Sequence, residues 1–86
     1  DLDFIQFFTD SAGELEERFP RLKAAVAQNG MLWISWPKRA SGVPTDLNEN
    51  VVREIGLRNG LVDVKVAAVD ETWSGLKFVR RLKDRH

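Results

Sequence analysis

The chain of 86 residues contains no cysteine. That excludes disulfides, a cysteine nucleophile and zinc held by thiolates. Its sole histidine is His86, which removes multi-histidine metal sites and any Ser–His–Asp triad. No apolar run approaches the about 20 residues that span a bilayer. Excess charge of one sign is missing too: 13 basic residues balance 13 acidic ones, so nothing overall points to nucleic acid or an acidic membrane. These residues hold no signal-peptide pattern, no internal repeat and no low-complexity tract. A single domain over residues 1–86, in the cytoplasm, is the expectation. No strand candidate is followed by a glycine-rich turn of the kind that cradles a phosphate, so no cofactor is expected.

What is present is a succession of apolar strands. Residues 2–8 carry Leu2, Phe4 and Phe8 on one parity and Ile5 and Phe7 on the other. Apolar groups on both parities suit a strand buried on both faces, as in a parallel sheet. Residues 31–36 form the clearest central strand, closed by Pro37. Residues 61–69 make a third strand with Asp63 and Lys65 on one face. After a turn over Thr72-Trp73-Ser74-Gly75, residues 76–82 return antiparallel.

Two helices connect the first three strands. Ser11 and Glu14 have capping-box spacing, and Leu15, Phe19, Leu22 and Val26 recur at helical intervals. Pro20 interrupts that stripe and predicts a kink or a break into two helices. Gly30 reads as a left-handed helix cap. In the second helix Thr45 or Asp46 is the expected cap, Leu47, Val51 and Ile55 with Val52 the buried stripe, and Gly60 the terminator. Gly56 inside it weakens the helix by roughly 1 kcal/mol relative to alanine.

The resulting class is α/β: a Rossmann-like, mostly parallel four-stranded sheet (β-α-β-α-β-β) with the last strand antiparallel, set between the second and third. Helical crossovers between parallel strands are right-handed, so both helices should lie on one face. The other face, apolar and aromatic, is too large to stand bare. It should be covered by a second copy of the chain, making a homo-oligomer, or by an N-terminal segment preceding Asp1. A chain of this length buries only about 60–65% of its unfolded surface, so such help is expected.

The element order resembles the C-terminal half of a Rossmann-like methyltransferase fold. Methyltransferases of that class hold S-adenosylmethionine mainly through their N-terminal half, with a glycine-rich loop after the first strand and an acid at the end of the second. Neither feature is here. More narrowly, residues 3–8, 30–38, 50–54 and 69–79 are similar to a bacterial family of unknown function, number three thousand and fifty-two. That resemblance spans most of the chain. It implies bacterial origin and a further N-terminal segment, and it implies no activity.

Ligands of open α/β sheets bind outside the carboxyl ends of the strands. Here those ends carry Asp10 and Ser11, then Trp36, Lys38 and Arg39, then Asp70 and Trp73. Lys38 and Arg39, with Ser41 and Gly42, suit an anion near the second helix's start; they also suit an ordinary solvated loop. Trp36 and Trp73 suit an aromatic wall for a flat ligand, or the sealing of a core edge. The ligand-binding candidates are therefore Trp36, Lys38, Arg39, Ser41, Asp70 and Trp73. Asp70 and Glu71 are adjacent and should point apart into water, and no catalytic or metal-ligating residue is assigned. The tail with Arg80, Arg81, Lys83 and Arg85 reads as a solvated basic end or an anion patch, without the dense basic face of a nucleic-acid binder. The expectation is a non-enzymatic interaction or regulatory module with a degenerate methyltransferase-like fold. The alternative is a binder of a small ligand or nucleotide derivative at the strand edge.

Overall fold

A computed structural model describes residues 2–81. The elements are β1 (Leu2–Phe8), α1 (Ala12–Ala25), β2 (Val26–Pro37), a 3₁₀ turn (Arg39–Ser41), α2 (Glu49–Arg58), β3 (Leu61–Ala68) and β4 (Trp73–Arg80). They form one four-stranded sheet in the order β1-β2-β4-β3. β1 and β2 pair parallel, while β4 runs antiparallel to both β2 and β3. The sheet is therefore mixed, not mostly parallel. A connection as short as residues 69–72 permits only a hairpin. The returning strand then takes the place beside β2 that a parallel β2–β3 ladder would need.

Several local expectations are corrected. Pro20 does not split α1, which runs unbroken from Ala12 to Ala25. Leu15 and Phe19, both fully buried, pin the helix to the sheet ahead of the proline. Gly30 is not a helix cap; it lies within β2. A Cβ there would stand 2.9 Å from the carbonyl oxygens of both Leu2 and Asp3, so glycine is what allows β2 to approach β1 at the register shift. α1 passes directly into β2, and Arg80 closes the junction. Its Nη2 donates to the Lys23 oxygen at 2.7 Å and the Val26 oxygen at 2.9 Å, satisfying carbonyls that a helix end leaves open. Arg80 is thus a tie between elements and no part of a solvated basic tail. Leu82, Lys83, Arg85 and His86 lie outside the described residues.

The caps are also rearranged. Ser11 accepts from the Glu14 amide at 3.2 Å, as a capping box requires. The return half goes through Thr9: the Ser11 amide donates to Thr9 Oγ1, which donates to Glu14 Oε1 at 2.6 Å. α2 is capped by Asn48, whose Oδ1 accepts from the Val51 amide at 2.9 Å, not by Thr45 or Asp46. Gly60, at φ 87°, turns the chain out of α2 in the left-handed region.

The core lies between the sheet and both helices. Leu15 and Phe19 of α1 and Val52 and Ile55 of α2 meet Leu32, Ile34, Leu76 and Phe78 of the central strands. Phe19 and Phe78 pack edge to face, 5.7 Å between centroids. Both helices therefore cover one face, and no described element covers the other. Among the described residues no helix is long and apolar enough to cross a membrane.

Candidate functional site

The carboxyl ends of β1, β2 and β3 meet at one edge of the sheet, held by long-range hydrogen bonds. The Thr9 amide donates to the Ser35 oxygen at 3.0 Å and the Lys38 amide to the Thr72 oxygen at 2.7 Å. Thr45 Oγ1 donates to the Asp10 oxygen at 2.7 Å, and Asp46 Oδ1 accepts from the Ala12 amide at 2.8 Å. Thr45 and Asp46 thus tie the segment before α2 to the start of α1. Asp46 satisfies a free donor of the first helix and not of the second.

This edge contains a cleft of ≈ 520 Å³, lined by Trp36, Pro37, Arg39 and residues 42–48. Gly42, at φ 76°, allows the chain to leave the 3₁₀ turn and form one wall. Two of the six sequence candidates, Trp36 and Arg39, line the cleft. Arg39 is exposed, and its guanidinium makes no hydrogen bond or ion pair among the described residues. Lys38, Ser41, Asp70 and Trp73 stand elsewhere. Ser41 Oγ donates to the Lys38 oxygen at 2.6 Å and accepts from the Val43 amide, shaping the turn. Asp70 Oδ1 accepts from the amides of Thr72 and Trp73, each at 2.8 Å, which fixes the hairpin as an Asx turn. The Trp73 amide, then the Thr72 amide, then the positive charge of Lys38 hold the Asp70 carboxyl below its ordinary range.

Trp36 and Trp73 do not form one aromatic wall. Trp36 shares the helix-bearing face with Leu32 and Ile34, whereas Trp73 pairs with Pro37, one position on. Successive side chains of a strand point to opposite faces. Trp73 instead meets Phe8 edge to face on the open side, 5.0 Å between centroids. Sequence reasoning missed Val43, Pro44, Leu47 and Asn48 as cleft residues. Their signal, a proline-containing turn before a helix, is common to many loops.

The open face is the second candidate. Across β1, β2, β4 and β3 it presents Gln6, Trp33, Lys77 and Lys65 in one row and Phe8, Ser35, Gly75 and Ala67 in the next. A Cβ on Gly75 would come within 3.1 Å of the Trp33 ring and 3.2 Å of Val69, so the glycine lets both lie down over β4. Phe4, Gln6, Trp33, Ala67, Ala68 and Val69 line a shallow groove of ≈ 220 Å³. Ser35 is fully buried, and its hydroxyl has no hydrogen-bond partner. No group of three or more potential metal ligands occurs among the described residues.

The fold is similar to that of a methyltransferase. The crystal structure of M1.HpyAVI superimposes with a TM-score of 0.65 at 19% identity, over 94% of this chain and 44% of that one. The chain thus spans less than half the length of M1.HpyAVI, and the similarity is one of fold. No family model matches the chain, that of the bacterial family of unknown function included, and no curated protein matches it.

Proposed function

We propose that this chain is a non-enzymatic interaction module, a methyltransferase-like sheet without a cofactor-cradling loop that docks a protein segment on its open face. The observation that carries this reading is the exposure of large apolar side chains on that face: Phe4 53%, Phe8 45% and Val69 39%. Contiguous apolar surface of this kind marks interaction sites. The groove there, ≈ 220 Å³, is smaller than the roughly 300–1,000 Å³ of small-molecule pockets, which favours a polypeptide as occupant. The test compares an apolar fluorescent dye with S-adenosylmethionine and adenine nucleotides. The chain should bind the dye, lose it when Phe4→Ser and Phe8→Ser are combined, and give no saturable tryptophan response to the nucleotides. Dye binding indifferent to those changes overturns the reading. Light scattering over a concentration series identifies self-association: a dimer dissolved by the same changes assigns the face to a second copy.

A second reading rests on the cleft of ≈ 520 Å³ and the unpaired guanidinium of Arg39. A nucleotide derivative bound there would place its anionic group against Arg39. A saturable tryptophan response abolished by combining Lys38→Ala with Arg39→Ala supports this reading; its absence removes it.

A further inference from the structure

We propose that the occupant of the open face is an acidic amphipathic helix of a partner protein, an inference that rests on the docking role proposed above. Lys65 and Lys77 are direct cross-strand partners on that face, next to Trp33. Like charges placed opposite each other in a ladder destabilise it. Neither lysine has a carboxylate partner among the described residues. The ion pairs there join Arg53 to Glu49 and Asp63, and Arg58 to Glu16, all involving the helices. Strand alternation places no acid on the open face among the described strand residues. Asp3 shares the parity of the core-packed Ile5 and Phe7, and Asp63 faces Arg53 of α2. Among the described strand residues, the charges on the open face are thus two adjacent lysines beside an apolar groove. Their complement is a segment that carries apolar residues flanked by Asp or Glu.

The place of the groove selects a helix over a strand. Strand addition needs an exposed sheet edge. The groove instead runs from Phe4 and Trp33 to residues 67–69, across the two central strands. A sheet face is met by helices in this architecture, as the other face already is. A second copy of the chain fits poorly. A two-fold interface would bring the same patch together from both sides, setting four lysines against each other with no acid among the described strand residues to offset them.

The probe is a leucine–glutamate amphipathic peptide of about 18 residues, long enough to hold helix, set against its leucine–lysine counterpart. Binding is read by tryptophan fluorescence and calorimetry on the 86-residue chain. The glutamate peptide should bind saturably, on the order of tenfold tighter than the lysine peptide, and weaken with added salt. Combining Lys65→Glu with Lys77→Glu should reverse the preference while the thermal transition persists. Combining Phe4→Ser with Phe8→Ser should weaken both peptides. Equal affinity for the two peptides, lost with the serine changes, overturns the acidic partner and leaves the docking face standing. A serine-sensitive dimer that binds neither peptide overturns it in favour of a second copy. Peptide binding indifferent to the serine changes overturns both this inference and the role on which it rests.

Discussion

The two faces of this sheet are built from alternate residues of the same strands, yet they differ in almost every physical respect. On the helix-bearing face Leu32, Ile34, Leu76 and Phe78 are wholly buried. On the other, Phe4 and Phe8 are exposed while Trp33, Trp73 and Val79 are partly buried. Residues of similar apolarity are core in one direction and surface in the other. Apolar side chains on both parities are the signature of a sheet meant to be covered twice. In this chain the second cover is absent from the described residues. Stability should therefore be concentrated on one face and association on the other, and substitutions on each face test that division.

The largest effect is expected where α2 meets β4. Gly56 is buried, and a Cβ there would stand 2.7 Å from Phe78 Cδ1 and closer still to Cε1. The Phe78 ring has little room to retreat, because it is fully buried and packed edge to face against Phe19. Alanine would add about 1 kcal/mol of helix propensity. Overpacking a filled core commonly costs about 1–3 kcal/mol and sometimes more, so Gly56→Ala should destabilise by up to about 2 kcal/mol net, read from denaturant unfolding. Phe78→Ala alone should cost about 3–5 kcal/mol. In that background the ring it would strike has gone, so Gly56→Ala should cost nothing further and regain up to about 1 kcal/mol of helix propensity. Additive losses would mean that the two residues do not share a contact.

Arg80 is next. It shares the helix-bearing side, and its two bonds to carbonyl oxygens hold the end of α1 on the start of β2. Hydrogen bonds from a charged donor contribute about 1.5–3 kcal/mol, so Arg80→Ala should cost about 2 kcal/mol. Arg80→Lys should recover only part of that, because a lysine lacks the planar fork. Faster hydrogen exchange should be confined at first to the last turn of α1.

A smaller effect belongs to the hairpin between β3 and β4. Asp70 has its pKa lowered by the amides of Trp73 and Thr72, so the folded state holds its proton more weakly than the unfolded state. The stabilisation is then fully present above the ordinary aspartate range and is lost as pH falls through the lowered pKa. The melting temperature should drop across acidic pH, and Asp70→Asn should flatten part of that drop while leaving neutral-pH stability slightly reduced. An unchanged pH profile in Asp70→Asn would show that the carboxylate does not anchor the turn.

Much of the fold was legible in the sequence because it is locally encoded. The four apolar runs, the inner members of the two helical stripes and the terminating Gly60 all follow from the order of neighbouring residues; the outer members do not, since Val26 lies in β2 and Leu47 ahead of α2. So did the crowding of both helices on one face, which handedness dictates. What was not legible depends on residues far apart in the chain. Gly30 looks like a cap until the Leu2 and Asp3 oxygens press on it. Thr45 and Asp46 look like caps for the helix they precede, and instead bond to Asp10 and Ala12. The candidate site suffered most. Reading β4 as starting at Leu76 left Trp73 in a turn, free to join Trp36; with β4 starting at Trp73, the pleat sends the two rings to opposite faces. Residues 42–48 have no local signature that distinguishes a cleft wall from a loop.

The smallest effects on stability should come from the open face, and there the comparison is sharpest. Phe4 is half in water already, and Phe4→Ser should change stability by no more than about 0.5–1 kcal/mol, against the several lost at Phe78. Lys65→Glu should go the other way. It replaces a like-charge cross-strand pair with an opposite one facing Lys77, worth roughly 0.2–1 kcal/mol, so the melting temperature should rise by a few degrees and the gain should shrink in high salt. Surface-charge changes often stabilise natural proteins, so it is the peptide measurement that assigns the lysines a role. If the same variant also binds the glutamate peptide less tightly, the lysine pair is retained for its partner at a cost to the sheet. If Lys65→Glu destabilises instead, the lysines are not in conflict, and the two faces differ in burial alone.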